Sequence, residues 1–360
     1  MNLVFLSSST GWGGLEQNLL RYANWMREAG HAVTIMTVAD TPLHHQATAL
    51  DLPIILMARQ KRHLPWRAAL KLRKRLKAHH TDFVWMRDPR DLPLVALAVS
   101  RLPCRLIFQQ GMQIDRPKKK PWHRWRFAQI DHWVTPLEIL ETEALRNTPL
   151  QPHQIARIPL ALESHWFEHP VDRSSARKTF GLAADTRVVG CFGRLDPLKG
   201  QDLLLKALET AVDWHALIVG DNTANVDQDW GHELRAQAVS RGLEDRIHWH
   251  GQMDSLQNAY AACDVYAMCS VSETFGMVTL EALASGLPVI GTNSGGTSEL
   301  LGHGTHGALI PPGDADALAN ALYHYHDIPR PSEHDLISFH KSAAVESWLK
   351  LLDEPPRRAS

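Results

Sequence analysis

Two acids in the stretch Ser272–Gly286 set the chemical problem. Glu273 stands just before a predicted helix and Glu281 inside it, eight positions later, with Gly276 at the turn between them. Because Glu273 precedes the helix, the two carboxylates need not share one face. They read as two anchors at different depths of one ligand site. The first N–H groups of a helix have no internal partner, so the backbone of Phe275, Gly276 and Met277 can meet an anion in the same space. A ligand that carries both phosphate and hydroxyls, as a nucleotide-sugar does, fits such a site.

A second segment supplies the opposite charge. Gly193-Arg194-Leu195-Asp196-Pro197-Leu198-Lys199-Gly200 follows an apolar strand and opens a helix. Arg194 can grip two phosphate oxygens at once and Lys199 adds a point charge, the neutralisation a departing diphosphate needs. Alone, this is equally a solvated loop with two unrelated cations; beside the glutamates some 75 residues on it becomes a site. Gly11-Trp12-Gly13-Gly14 starts the first helix but fails the dinucleotide fingerprint, since Glu16 stands where the third glycine belongs. A nicotinamide enzyme is disfavoured, while Gly13 and Gly14 can still let a ligand approach the backbone. The glycine-rich loop 291–300 is given a supporting role. Asp314-Ala315-Asp316 has the look of an Asp-x-Asp metal site, but its place at a helix start favours capping, so no metal is expected. Paired and single histidines show no spacing that demands a metal either.

The elements that position these residues alternate. Short apolar strands are expected at 3–7, 32–38, 53–57, 83–86, 105–109 and 132–134, and again at 187–192, 216–219, 246–249, 264–268, 288–291 and 308–310. Leu15, Leu19, Tyr22, Ala23 and Met26 make one apolar face of a helix between the first two strands, and Gln201–Thr210 forms another after the Arg194 loop. The fold class is α/β, with two Rossmann-like parallel-sheet lobes. Lobe one is expected over 1–168, completed by a C-terminal helix over 334–353 that packs back on it, and lobe two over 169–333. At 360 residues with 44% hydrophobic and 21% charged side chains, the chain suits a two-domain globular protein. No apolar run reaches membrane-spanning length, and the start reads as a buried strand rather than a signal peptide. The four cysteines lack Cys-x-x-Cys spacing and are expected to be reduced and buried, which points to the cytoplasm.

The Gly193–Gly200 loop, Glu273 to Glu281 with Phe275-Gly276 between, Ser285-Gly286-Leu287-Pro288-Val289 and the Gly13-Gly14 loop together resemble the retaining glycosyltransferases of family 4. The resemblance is specific over 185–325 and weaker over 1–150. It implies the two-lobed GT-B fold with substrates in an interlobe cleft and no metal or other cofactor. It implies that Arg194 and Lys199 hold the donor diphosphate, that Glu273 contacts the donor sugar and Glu281 the nucleotide ribose, with the Phe275–Met277 backbone against phosphate and sugar and the base near His248–Gly251. One departure matters: many members carry a histidine after a first-lobe strand, where this chain reads Phe108-Gln109-Gln110-Gly111-Met112. Gln110 can donate a hydrogen bond but cannot act as acid or base. This suits a front-face mechanism in which the departing phosphate takes the acceptor proton. Asp88 is the other first-lobe candidate, with helix capping by Asp88 or Asp91 an equal alternative.

Charge is divided. Residues 1–150 hold 22 Lys+Arg against 12 Asp+Glu, and the remainder 16 against 27. Nine cations fall between Arg59 and Lys77, including Lys71, Arg73, Lys74, Arg75 and Lys77, interleaved with Trp66, Leu70 and other apolar residues. Six more, with Lys118, Lys119 and Lys120 among them, surround Trp122 and Trp125. Basic amphipathic segments bearing Trp suit an anionic membrane surface, the alternative being a plain solvated face. Nucleic acid is disfavoured because no recognition motif accompanies the charge. The expected activity is transfer of a sugar from a nucleotide-diphosphate donor to a glycan or lipid-linked acceptor in cell-surface polysaccharide or lipopolysaccharide synthesis, at the inner face of the cytoplasmic membrane. The rivals are a sugar-nucleotide epimerase of the same fold and a catalytically silent nucleotide-sugar binder.

Overall fold

The computed structural model describes residues 1–59, 66–168, 171–222 and 229–355. It divides into two units, Met1–Pro159 with the segment from Ser342 onward, and Leu160–Lys341. The sequence reading divided the chain at 168/169 and began the C-terminal helix at 334. The helix starts instead at Lys341 and runs to Asp353, behind a short helix at Glu333–Leu336 and a 3-10 turn. His340 interrupts the run because it is extended and pairs with Leu162, a tertiary contact that overrides helical periodicity.

In the first unit, strands β1 (Asn2–Leu6), β2 (Ala32–Val38), β3 (Ile54–Met57), β4 (Phe83–Met86), β5 (Arg105–Gln109), β6 (His132–Thr135) and β7 (Ile155–Arg157) form one parallel sheet. Its order is β3-β2-β1-β4-β5-β6-β7, and Leu3 of β1 lies opposite Val33 and Phe83. β1 and β4 are near-continuous buried apolar runs, as a parallel sheet covered on both faces requires. The helix Gly14–Glu28 buries Leu19, Tyr22, Ala23 and Met26. Phe5 stacks on Trp85 with centroids 4.8 Å apart, and Trp85 packs on Trp348 of the C-terminal helix at 3.8 Å. The fully buried Trp348 and the bond from Arg105 to the Leu352 carbonyl fix that helix in this unit.

The second unit repeats the plan with β8 (Arg187–Phe192), β9 (Trp214–Val219), β10 (Ile247–His250), β11 (Val265–Met268), β12 (Val289–Thr292) and β13 (Ala308–Ile310). All are parallel in the order β10-β9-β8-β11-β12-β13. Its core gathers Leu204, Leu208, Trp214, Ile218, Val265 and Leu318. All four cysteines are buried and none is in a disulfide. In each sheet the strand order reverses beside the first strand, between β1 and β4 and between β8 and β11. Loops leaving the carboxyl ends of such neighbours diverge and open a crevice, where doubly wound sheets bind ligands. Among the described residues, no helix is long and apolar enough to cross a membrane.

Candidate active site

The segment that leaves β8 turns sharply. Gly193 and Gly220 pass so closely that a Cβ on Gly220 would stand 1.9 Å from the Gly193 carbonyl oxygen. Pro197–Lys199 forms a 3-10 turn, capped by the Asp196 carboxylate accepting from Leu198 N–H. Gly200 then adopts a left-handed conformation (φ 68°), and a Cβ there would lie 2.1 Å from the Cys269 carbonyl. That close approach docks the loop on the end of β11, where Val271 N–H donates to the Leu198 carbonyl.

Adjacency of β8 and β11 brings the expected residues together. Lys199 Nζ lies 2.6 Å from Glu273 Oε2, and both side chains are largely withdrawn from solvent. The Ser270 hydroxyl also approaches the same carboxylate oxygen, at 3.4 Å. The Arg194 guanidinium is exposed and makes no ion pair among the described residues, while its carbonyl is fixed by Gln201 Nε2 at 2.8 Å. Gly276, left-handed at φ 91°, caps the helix Met277–Ala284 with no side chain of its own. The N–H groups of Phe275, Gly276 and Met277 find no acceptor among the described residues, whereas the Phe275 ring is turned into the unit toward Phe339. Glu281 stands about one turn along that helix, near the Tyr260 hydroxyl at 3.2 Å. Burial first, then the Glu281 charge, push the Tyr260 phenol well above its ordinary value, so it stays a hydrogen-bond donor.

The supporting role given to the loop 291–300 takes definite form. Gly296 N–H donates to the Glu273 carbonyl (2.7 Å), Ser294 Oγ to the Val271 carbonyl (2.7 Å) and Thr292 Oγ1 to the Ser270 carbonyl (2.5 Å). Three bonds from the β12 end thus clamp the Glu273 loop. Asp314 caps the helix Ala315–Tyr323 by accepting from Ala317 N–H at 2.8 Å. His248 is held against His215 in mid-sheet, 3.2 Å apart, so only the end of the His248–Gly251 stretch reaches the loop edge. There Asp221 accepts from Gln252 N–H at 3.0 Å.

The first unit treats its candidates differently. Gly13 caps the helix Gly14–Glu28, and the buried Glu16 carboxylate accepts from its N–H at 3.0 Å. A Cβ on Gly14 would meet nothing within 4 Å. The residue that breaks the dinucleotide fingerprint therefore puts a negative charge where a pyrophosphate would sit. Asp88 is not a free base: the Arg90 side chain holds both of its oxygens through three bonds of 2.5–3.0 Å, and Arg90 N–H adds a fourth at 2.8 Å. Asp91, fully buried, accepts from Ser8 N–H at 2.9 Å and from the Ser8 hydroxyl instead of capping its helix. Burial pushes its carboxyl up to about 6, against the pull of the Ser8 bonds. Gln110 is buried and committed, accepting from Trp133 Nε1 at 2.8 Å and donating to the Met112 carbonyl at 3.0 Å.

The basic segments are only partly free. The 60–65 portion of the Arg59–Lys77 run lies outside the described residues. In the helix Trp66–Ala78, Arg73 Nε donates to the Ala98 carbonyl at 2.9 Å, which ties it to the end of the helix Leu92–Val99, and Arg75 reaches the Leu56 carbonyl at 2.5 Å. Lys71, Lys74 and Lys77 are exposed. Trp66 and Leu70 are 59% and 61% exposed and line a groove of about 570 Å³ with Arg73, Arg101 and the stacked pair Trp122 and Trp125. Lys119 and Lys120 are exposed, whereas Lys118 lines a different cavity. Sequence reasoning missed Tyr260, Gln201 and that second cavity, which are defined by burial and long-range packing.

Comparison with known proteins now decides the family. The model of glycosyltransferase family 4 matches residues 12–164 and that of glycosyl transferases group 1 matches 172–341. A lipopolysaccharide core biosynthesis mannosyltransferase, LpsB of Rhizobium meliloti, is 31% identical over 277 residues, covering 73% of this chain and 76% of that protein. The chain belongs to glycosyltransferase family 4. A D-inositol 3-phosphate glycosyltransferase of Mycobacteroides abscessus is 36% identical over 155 residues, covering 42% of this chain and 35% of its own. The fold of this glycosyltransferase is that of Anabaena Alr3699/HepE, solved with UDP and glucose, at a TM-score of 0.84, 24% identity and coverage of 99% and 100% of the two chains. The two parallel sheets are therefore those of the GT-B fold.

Proposed function

We propose that this family 4 enzyme is a retaining, metal-independent hexosyltransferase. It takes the sugar of a nucleotide-diphosphate donor to a glycan or lipid-linked acceptor of cell-surface polysaccharide or lipopolysaccharide. The observation that carries the donor side is the convergence of Lys199, Glu273 and the bare N–H groups of Phe275–Met277 at the β8/β11 reversal, with the Arg194 cation unpaired nearby. On this reading Arg194 and Lys199 meet the diphosphate, Glu273 the sugar hydroxyls and Glu281 the ribose. Tyr260 keeps Glu281 in place.

The sugar C1–phosphate oxygen bond breaks as a bond from C1 to the acceptor oxygen forms on the same face. The acceptor proton passes to the departing diphosphate, which the two cations stabilise as charge grows. No first-lobe base is needed, in keeping with Asp88 and Gln110 being committed elsewhere. Neutralisation is assigned to side chains, and Asp314 is spent on its helix cap. Glu16 makes the start of the first helix a seat for hydroxyls rather than for a second anion. The acceptor class is supported by the lipopolysaccharide core mannosyltransferase relative.

The test has two arms. Thermal shifts with UDP-, GDP- and ADP-sugars should select one base, since a ligand of the folded state raises Tm. With that donor and a lipopolysaccharide core acceptor, NMR of the product should show the donor's anomeric configuration, undiminished by EDTA. Inversion, or loss on chelation, refutes the mechanism. An isomerised sugar formed from donor alone would mark an epimerase, and donor binding without turnover a silent binder. We place the enzyme at the inner face of the cytoplasmic membrane, with Trp66, Leu70, Trp122 and Trp125 entering the interface and Lys71, Lys74, Lys77, Lys119 and Lys120 facing anionic headgroups. Co-sedimentation with phosphatidylglycerol vesicles should fall at least about tenfold in Lys71→Glu/Lys74→Glu/Lys77→Glu. Unchanged binding rejects this surface. Arg73 is left intact there because its removal would uncap a helix.

A further inference from the structure

The first unit holds a buried cation that nothing among the described residues satisfies. Arg87, just past β4, is 3% exposed, and its guanidinium Nε and Nη1 are buried without a hydrogen-bond partner. The other buried arginine among the described residues is satisfied. Arg177 gives bonds to the carbonyls of Ala262, Ala183 and Ala184 at 2.7–3.1 Å and pairs with Asp264 at 2.9 Å. No acid relieves Arg87 in the same way. Glu16 is close enough to favour its charge but forms no ion pair with it, its Oε2 being spent on Gly13, and Asp88 is spent on Arg90. Desolvation accordingly lowers the guanidinium to about 10. A buried, unpaired charge is among the costliest features a fold can keep.

Arg87 lines a cavity of about 350 Å³, within the range of small-ligand sites. Three further cations line it: Arg126, whose Nε is likewise buried and unpartnered, Lys118 and Arg90. The rest includes the apolar and aromatic Phe108, Met112, Ile114 and Trp133, the amides Gln110 and Gln113, and one acid, Asp115, which lies 3.7 Å from Arg116. Beside it, Gly111 gives the guanidinium room, since a Cβ there would stand 3.0 Å from Arg87 Nη2 and 2.3 Å from Leu15 Cδ2. Gly111 has no positive φ, so space and not backbone geometry asks for glycine.

We infer that this cavity binds an oxyanion, phosphate or carboxylate, borne on a sugar ring of the acceptor, with Arg87 as its buried counter-charge and the aromatic wall against the ring. The inference rests on the proposed reading that the first unit takes the acceptor. It deepens that reading by making the acceptor acidic. A guanidinium grips either oxyanion through two N–H groups, and the ring's C–H face suits Phe108 and Trp133.

Thermal shifts of the full chain with mannose 6-phosphate, galacturonate and mannose test it, with the donor sugar nucleotide as a separate arm. One or both acids should raise Tm, and mannose should not; which acid responds identifies the source of the oxyanion. Arg87→Met should weaken the response by roughly 10–100-fold without lowering Tm, because it removes an unpaired charge and no bond, and should leave the donor shift intact. Met112→Trp, at a half-exposed position, should block the cavity while keeping Arg87 and weaken the response by roughly tenfold. Lys199→Met should do the reverse, losing the donor shift and keeping the acid shift. If neither acid binds, or if Arg87→Met binds them as wild type does, the inference is overturned. A destabilised Arg87→Met together with acid binding untouched by Met112→Trp also overturns it. Loss of the donor shift in the wild type alone would count against the donor site and not against this one.

Discussion

The Lys199–Glu273 contact is the point at which the proposed donor site is most exposed to refutation. At 2.6 Å and with side chains 26% and 14% exposed, the pair is partly desolvated. Unit charges at that distance attract by about 6 kcal/mol at an effective dielectric of 20, but desolvation offsets most of this, and a charged hydrogen bond nets about 1.5–3 kcal/mol. The pair is therefore a modest contribution to folding. Lys199→Met and Glu273→Gln should each lower Tm by only a few degrees. Catalysis should suffer far more. A cation that meets a departing diphosphate acts where charge grows, and losing one such group costs about 2.7–4 kcal/mol, or about 10²–10³ in kcat. Initial rates over a range of donor concentrations in Lys199→Met, Glu273→Gln and the double variant give a thermodynamic cycle. Side chains in direct contact on one ligand should couple by about 1–3 kcal/mol, so the double variant should lose less than the product of the single losses. A Lys199→Met enzyme within about threefold of wild-type kcat, or losses that multiply without coupling, would refute the assignment of these two residues to one bound donor.

Three further outcomes follow from local geometry. Gly200→Ala combines a left-handed φ with a Cβ 2.1 Å from the Cys269 carbonyl, so it should cost about 3 kcal/mol or more in urea unfolding, while Gly14→Ala, with open space around it, should cost less than about 1 kcal/mol. Arg177→Met should destabilise by about 2–3 kcal/mol because it leaves three carbonyls without their donor, while Asp264 keeps Arg173 and the Val188 N–H; a loss under about 1 kcal/mol would contradict the bonding described. Asp91 binds its proton more tightly folded (about 6) than at the ordinary value of 3.8, so its contribution falls as pH rises from 4 to 6 and stays low above that. Asp91→Asn removes this term, and its stability relative to wild type should improve by up to about 3 kcal/mol between pH 4 and pH 7; a constant difference would show that the carboxyl ionises normally.

Strand placement was legible where burial on both faces wrote a continuous apolar run, as in β2, β4, β5 and β8, whose ends coincide with the expected ones. β7 was not, because it has three residues and buries only Ile155. The C-terminal helix was drawn too long since the Leu162–His340 pairing that interrupts it joins residues about half the chain apart. Residue types and loop chemistry carried Lys199 and Glu273, but their meeting depends on the adjacency of β8 and β11, which the family resemblance implied and periodicity alone does not. Asp88 was misjudged for a local reason, as Arg90 two residues on folds back over it. Arg87, one residue before Asp88, carried no signal in the sequence, because its consequence lies in burial without a partner, and partners come from the fold.

The two units solve the same topological problem with opposite charge, and that difference bears on which ligand each takes. At the β8/β11 reversal the loops present Arg194 and Lys199 with one intervening carboxylate, and a helix start whose N–H groups are bare. At the β1/β4 reversal the equivalent loops carry Glu16, Asp88 and Asp91, each already bound to a neighbour, and the first helix start is occupied by Glu16. A diphosphate entering there would meet a carboxylate before a cation. The buried positive charge of that region, Arg87, is withdrawn beneath Gly111 and lines a cavity with Arg90, Lys118 and Arg126. Charge thus separates two anions that a sugar transferase with an acidic acceptor has to keep apart. On the proposed reading the donor diphosphate goes to Arg194 and Lys199 beside a helix start, and the acceptor oxyanion to a buried cation lining a separate cavity.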